Sequence, residues 1–393
     1  MKPNICLYLR VHQPTRLRLY RFFDIGTDSH YYDDFANRTA VVSAVENTYL
    51  PLNSILLDLI GKSKKHFKIA VSMSGSTLEL FERYAPEAID SFKALFDTGC
   101  VELVAEPYFH SLCSLASSAE FRHEVGKQMD KLESVFGIRP VTFCNTELIY
   151  SDAIGADVRE MGFKTMITEG AKNVLGWRSA DHVYSSTASG LKLLLRNYSL
   201  SDDIALRFSN RDWDSWPLTA DKYASWLAGS DGEAVVLAMD SSVFGGVHSA
   251  ESGIFDFIKA LPEAVEAQGM KFRTPSEIAK GAKGVAELSV PDAISWTGVE
   301  SDVSAWLGNE LQQDAYNKLY ALTEKLSIID DPALWADFGH LQESDHLYYM
   351  NTKFFGDGYR PYSPYSTPYE AFINYMNVLN DFTIRVNDKL DAK

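Results

Sequence analysis

The sequence predicts an α/β fold built on parallel strands, with a helical region behind it. Three observations predict it. Short β-rich apolar runs recur through residues 1–284, each ending in polar or acidic residues. Helix-like segments separate several of them, and after residues 285–300 the pattern turns helical throughout. Strands alternating with helices at this spacing imply parallel pairing, hence a sheet or barrel of the α/β class.

The runs are "ICLYLRVHQ" (5–13), "FKIAVSMSG" (67–75), "VELVAEPYFH" (101–110), "VTFCNTELIY" (141–150), "KTMITEG" (164–170) and "AVVLAMDSS" (234–242). Between the third and fourth, Phe121, Val125, Met129, Leu132 and Phe136 recur at helical spacing. Ser117 with Glu120 predicts a capping box there, and Gly137 a stop. "GVAELSVPDAISWTGVESD" is a connector rich in Pro and Gly. Beyond it, Val303, Trp306, Leu307, Leu311, Tyr316, Leu319 and Leu322 follow one helix face. A last helix is predicted to start at Thr367 as N-cap with Pro368 at its first position.

Composition excludes more than it identifies. The 393 residues carry 37 basic and 53 acidic groups, a net charge of −16, which repels nucleic acid and anionic membranes. No apolar run is long enough for a transmembrane helix, and "MKPNICLYLRVHQP" reads as a first core strand, not a signal peptide. Cys6, Cys100, Cys113 and Cys144 lack metal-site spacing and read as buried free thiols of a cytoplasmic protein. Aromatic residues make up 12% of the chain, and the clusters "RDWDSWPLTADKYASWL" and "HLYYMNTKFFGDGYRPYSPYSTPY" mix them with polar groups. Flat rings beside hydrogen-bonding groups suit sugar rings; they equally suit seams between helices.

In barrels and open α/β sheets, ligands sit at the carboxyl ends of the parallel strands. Those ends here carry His12, Gln13, Glu106, His110, Glu147, Glu169 and Asp240. Glu147 stands beside Asn145 and Thr146, which offer hydrogen bonds to a ligand. Asp240 leaves a strand too apolar to be an edge and emerges from the core at the mouth. A desolvated Asp paired with a Glu at such a mouth is the arrangement that cleaves a glycosidic bond, one acid attacking the sugar and the other protonating the leaving oxygen. His110 reads either as part of this set or as a core histidine on a backbone carbonyl. Trp213 and Trp216 read either as a cleft wall or as packing. Arg196 and Arg207 are expected to pair with Asp202 and Asp203.

"VHQP", "VAEPYFHSL", "FCNTELIY", "MDSSVFGG" followed by "AESGIFDFIKALP", and "SWTGVESDVSAWLGNELQ" resemble, in order, the sequence regions of glycoside hydrolase family 57, in particular its α-amylases and α-amylase-like members. The likeness extends to "DHLYYMNTKFFGDG" and "PYEAFINYMNVL" and covers nearly the whole chain. The resemblance implies an incomplete (β/α)7 barrel over residues 1–284 and a C-terminal helical bundle over 285–393 that closes the cleft. It implies a retaining mechanism on α-1,4-linked glucan or maltooligosaccharide, with no metal or other cofactor. Glu147 matches the nucleophile and Asp240 the acid/base. His12 and Gln13 of the HQP segment, with Glu106, His110 and Asn145, match the sugar subsite. Trp296, Glu300, Asp302 and Trp306 match the closing segment.

Two departures stand out. Ser241-Ser242 occupy the place of a usual Tyr-Glu or Gly-Glu, and Gly298 that of a usual aspartate. Three alternatives follow: a glucanotransferase on the same site, a catalytically weakened glucan-binding protein, or a metal-dependent deacetylase or mannosidase assembled from His12, His110 and Asp240.

Overall fold

A computed structural model describes residues 2–329, 331–353 and 363–392. Ten strands occur among them: β1 Asn4–Val11, β2 Ile69–Met73, β3 Val101–Val104, β4 Thr142–Cys144, β5 Thr165–Glu169, β6 Val183–Ser186, β7 Lys192–Arg196, β8 Ala234–Asp240, β9 Lys271–Phe272 and β10 Glu287–Leu288. Seven are parallel and join into a ring in the order β1-β2-β3-β4-β5-β7-β8 and back to β1. Two joints are thin. β3 reaches β4 through the Ala105–Phe143 bridge, and β7 touches β8 only at Arg196–Val236. At that second joint β6 lies antiparallel on β7, carrying β10 on its other side, so the barrel wall is not a continuous ladder. This is the (β/α)7 barrel.

The six sequence runs hold six of the ring strands. The seventh, β7, was not among them. "KLLLR" is short and leucine-rich, and such a run carries neither β-branched residues nor an alternating pattern to separate strand from helix.

Strand parity sorts the side chains. Ile5, Leu7, Leu9 and Val11 of β1 pack outward against helices such as Leu50–Lys62 and Ile254–Ala267. Cys6 and Tyr8 face inward with Ala70, Val104, Cys144, Ile167, Leu194, Val236 and Ala238, which fill the barrel as a small apolar plug. Successive strand residues alternate faces, so the next inward positions on β1 after Tyr8 are Arg10 and then His12. The plug thus ends in a polar layer at the carboxyl ends.

The helix Ser118–Phe136 starts on Ser117, whose side chain accepts from the Glu120 amide, and stops at left-handed Gly137. Glu120 does not close the reciprocal box; its Oε1 accepts instead from Gln342 (3.0 Å). The face expected as one helix from Val303 to Leu322 is broken. Ser304–Leu307 ends, and a new helix Glu310–Tyr320 begins on Asn309, whose capping box with Gln312 restarts the chain. The final helix, Pro368–Asp391, starts on Thr367 as N-cap. These helices share one apolar cluster with the barrel residues Phe121, Phe143, Ile149 and Tyr150. Part of the aromatic cluster after Lys353 lies outside the described residues. No helix among those described is long and apolar enough to cross a membrane.

Candidate active site

The polar layer is organised by a residue that the reading of strand ends passed over. Arg10, two places before His12 on β1, lies directly beside Asp240 in the β1–β8 register. Its Nε donates to Asp240 Oδ2 (3.1 Å) and its Nη1 to Glu147 Oε1 (2.6 Å). One guanidinium therefore bridges the two acids. A cation in an otherwise apolar inner strand needs an acid partner nearby, and that was the available signal.

Glu147 is held on every side. Its Oε1 accepts from Arg10 and from His110 Nε2 (2.9 Å), and its Oε2 from the indole N–H of Trp296. Its backbone carbonyl accepts from the Ser295 hydroxyl (3.0 Å). Burial works against its charge, but the Arg10 charge, the His110 bond and charge, and the Trp296 bond outweigh it. They hold the carboxyl well below the usual carboxylate range. Glu147 and His110 both have positive φ, 52° and 51°. Left-handed backbone costs a non-glycine residue on the order of 1 kcal/mol. Here both instances lie at touching site residues, so the strain aims two side chains at one point.

His110 is 1% exposed and links two carboxylates, since Nδ1 lies 3.0 Å from Glu106 Oε2 and Nε2 meets Glu147. Both partners accept, so both ring nitrogens donate and the ring is an imidazolium. Its 3.1 Å approach to Arg10 Nη1 is then a contact between cations, offset by Glu147 between them. Burial and Arg10 oppose the ring's charge, yet the bonds to Glu106 and Glu147 prevail and push it up to about 9.

A pH prediction follows. A group raised from 6.5 to about 9 gives stability that is full below about 6.5 and lost as pH rises through about 9. His340, raised likewise to about 9 by Glu343 and Glu79 against the effect of burial, shares that window. Urea unfolding is expected to show stability falling from pH 6.5 to 9, by on the order of 3 kcal/mol from His110. His110→Asn, which tolerates positive φ, should flatten part of that slope; an unchanged slope contradicts the assignment.

The stacked rings of His12 and His110 lie 4.2 Å apart. His12 bonds Ser74 Oγ through Nδ1 and Asp345 through Nε2, each at 2.9 Å. Asp345 comes from the C-terminal helix Ser344–Tyr348 and was not singled out from the sequence. Burial raises its carboxyl, but His12 and His110 bring it down to about 2.

The other sequence candidates divide. Gln13 sits at the mouth, its amide donating to Tyr49 Oη (2.9 Å). Glu106 is 1% exposed and acts behind His110. Asn145 was expected to meet a ligand, but its amide nitrogen serves Ser114 Oγ (2.9 Å) and the Ile149 carbonyl (3.0 Å), the latter bond spanning the turn that presents Glu147. Trp306 was expected in the closing segment facing the ligand; it is 2% exposed and packs on Tyr348 in the helical core. Glu300 is exposed and pairs with Lys353 (2.6 Å), while Asp302 caps Ser304 (2.9 Å); neither meets the carboxylate pair through a hydrogen bond. Trp213 packs edge-on to Trp226, and Trp216 is exposed under the Arg211 guanidinium. Arg196 and Arg207 do bond Asp202 and Asp203, and Arg196 also holds Glu169 (3.1 Å) inside the barrel.

The turn after Asp240 is held through the backbone of Ser242. The Ser242 amide donates to Asp240 Oδ1 (2.8 Å), and the Ser242 carbonyl accepts from Gly246 (3.0 Å) and Val247 (2.7 Å), closing a tight turn. Gly298 has φ 75° in the turn closed by Ser301 N to Gly298 O (3.4 Å), a backbone that disfavours the aspartate usual there. Among the described residues no group of three or more His, Cys, Asp or Glu is arranged to hold a metal ion.

A carboxylate pair at the open end of a parallel barrel is the working arrangement of enzymes that cleave glycosidic bonds. The comparisons agree and carry the assignment further. The chain belongs to glycosyl hydrolase family 57, whose profile matches residues 6–291. It is 37% identical over 407 aligned residues to a Methanocaldococcus jannaschii protein described as "Putative alpha-amylase", covering 98% of this chain and 85% of that one. Among solved structures it superposes on a family 57 branching enzyme from Thermococcus kodakaraensis with a TM-score of 0.71 at 14% identity, covering 99% and 91% of the two chains. The α-amylase AmyC of Thermotoga maritima follows at 0.62 and 13%, covering 100% and 96%. A 4-α-glucanotransferase from Thermococcus litoralis gives 0.67 and 13%, covering 88% of this chain and 56% of that one. At these identities the structural likeness is one of fold.

Proposed function

We propose that this family 57 glycoside hydrolase acts with retention on α-1,4-linked glucan or maltooligosaccharide, Glu147 serving as nucleophile and Asp240 as acid/base. The observation that carries this reading is the convergence of both carboxylates on Arg10 at the ends of β4 and β8. Glu147 attacks the anomeric carbon, and the leaving oxygen takes the proton from Asp240. Asp240 then takes a proton from water, whose oxygen displaces Glu147. A sugar hydroxyl in place of water gives transfer by the same steps, and the relatives include proteins named for each outcome.

Gln13 offers a polar contact at the mouth, and the Trp296 ring stands beside Glu147. Residues 285–393 close the cleft in this reading, supported by Trp296 on Glu147 and Asp345 on His12. Four buried, unpaired cysteines fit a reducing cytoplasm, and the −16 charge fits a neutral substrate. Incubation with a maltooligosaccharide ladder is expected to give shortened or redistributed chains, with the α-anomer formed first by proton NMR. First formation of the β-anomer would refute retention.

A further inference from the structure

A cavity of about 300 Å³ lies between the helices Ser118–Phe136 and Pro332–Leu341, where the barrel meets the helical region. Ligand pockets run from roughly 300 to 1,000 Å³, so its size suits a single small ring. Phe109 and Trp335 stand on its wall, and none of Arg10, Glu147, Asp240 and Trp296 does. It lies behind the loop that carries His110. Glu124, on the same wall, accepts from the Phe109 amide (3.1 Å) and the Ser111 hydroxyl (2.6 Å) on either side of that histidine.

Polar groups of both signs share this wall. Lys127 Nζ lies 3.8 Å from the ring centroid of Tyr108 and 4.2 Å from that of Phe109, and among the described residues it makes no hydrogen bond or ion pair. Gln342 is 2% exposed. Its Nε2 donates to Glu120 Oε1 (3.0 Å), which fixes the orientation of the amide, and its Oε1 has no partner among the described residues. A buried acceptor of this kind is costly until something donates to it. His123 approaches Glu120 (3.6 Å) and sets its ring 5.2 Å from that of Trp335.

These groups define the guest by exclusion. Glu120 and Glu124 disfavour an anion, and Lys127 and His123 disfavour a cation. A wholly apolar guest would leave Lys127 and Gln342 without partners. A neutral ring bearing several hydroxyls meets each demand. Its oxygens accept from Lys127, its hydroxyls donate to Gln342 Oε1, and its C–H groups pack on the aromatic wall. We propose that this cavity is a second sugar-binding site, which takes one glucosyl residue of an α-glucan away from the catalytic carboxylates. That the sugar is a glucosyl residue rests on the glucan reading above.

The test is fluorine NMR of the full-length Glu147→Gln protein, which leaves the sugar intact, with fluorotryptophan at its seven tryptophans. Trp335→Phe and Trp296→Phe identify the resonances of the two sites. Titration with maltotriose is expected to shift the Trp335 resonance saturably, with a midpoint separate from that of Trp296. Lys127→Met should raise the Trp335 midpoint about tenfold, the worth of a hydrogen bond to a charged group, and leave the Trp296 midpoint unchanged. Gln342→Leu carries the same comparison should Lys127→Met fail to fold, with a smaller rise. A saturable shift at Trp296 with none at Trp335, or a Trp335 drift no larger than sorbitol gives, overturns the inference alone. A saturable shift at Trp335 with none at Trp296 upholds the second site and overturns the glucan reading of the carboxylate pair. Silence at both overturns both.

Discussion

Replacing Glu147 with Gln is expected to abolish turnover of maltooligosaccharide, lowering kcat by about 10,000-fold or more, the scale on which a covalent nucleophile is worth. The amide keeps the size of the side chain and an acceptor for the Trp296 N–H, and it loses the charge that attacks carbon. The fold should survive, because each neighbouring cation retains an acid: Arg10 keeps Asp240, and His110 keeps Glu106. In the unaltered protein, Arg10 and His110 hold the Glu147 carboxyl down despite its burial. The nucleophile therefore remains ionised as the medium is acidified through the ordinary carboxylate range, and any acid limb in the rate has another origin. Steady-state rates with matched thermal unfolding curves check this. A Glu147→Gln protein with more than about 1% of the original kcat would rule out covalent catalysis by this residue.

The second large effect is selective. Asp240→Ala should lower maltooligosaccharide cleavage by roughly 100- to 10,000-fold, the range for loss of general acid catalysis. Formation of the glycosyl-enzyme from α-maltosyl fluoride should suffer far less. Added azide, a nucleophile that needs no base, should then speed release of the sugar from Glu147 and give α-maltosyl azide. Its configuration is diagnostic. Attack on a covalent intermediate restores the α-configuration, whereas direct displacement of fluoride gives the β-azide. Failure of azide to accelerate turnover, or isolation of the β-azide, would remove Asp240 or the intermediate from the mechanism.

Much of this site was legible because polar residues at the ends of buried strands are costly unless they work together. That reasoning reached Glu147, Asp240, His12 and His110; Arg10 links Glu147 and Asp240, His110 bonds Glu147, and the His12 ring stacks on His110. Arg10 escaped because it sits inside a strand run and was read with the apolar residues around it. Counting parity forward from Cys6 and Tyr8 would have put it on the inner face beside His12. Asp345 escaped for a different reason. It lies 333 positions from His12, and nothing local on a helical segment marks which residue will face a distant strand end. Trp306 and Asn145 show the reverse error. Their types suit a sugar site, but an indole in a helical seam and an amide in a turn answer equally well to packing and to backbone satisfaction. β7 was invisible because leucine runs do not declare their backbone, and its identity as a strand comes from pairing with β5.

The barrel's unequal joints bear on how the two carboxylates are connected. From Asp240 the backbone lattice runs through β8, β1, β2 and β3 as long parallel ladders before the Ala105–Phe143 bridge to β4. The other way round, it meets the near-gap between β7 and β8, where the Arg196 side chain reaches the Ala238 carbonyl (2.9 Å) and Glu169 (3.1 Å). Arg196 thus spans one of the two thin joints with its side chain. Asp240 and Arg10 stand on the laddered side and Glu147 beyond the Ala105–Phe143 bridge, so the Arg10 guanidinium ties the two carboxylates across that thin joint.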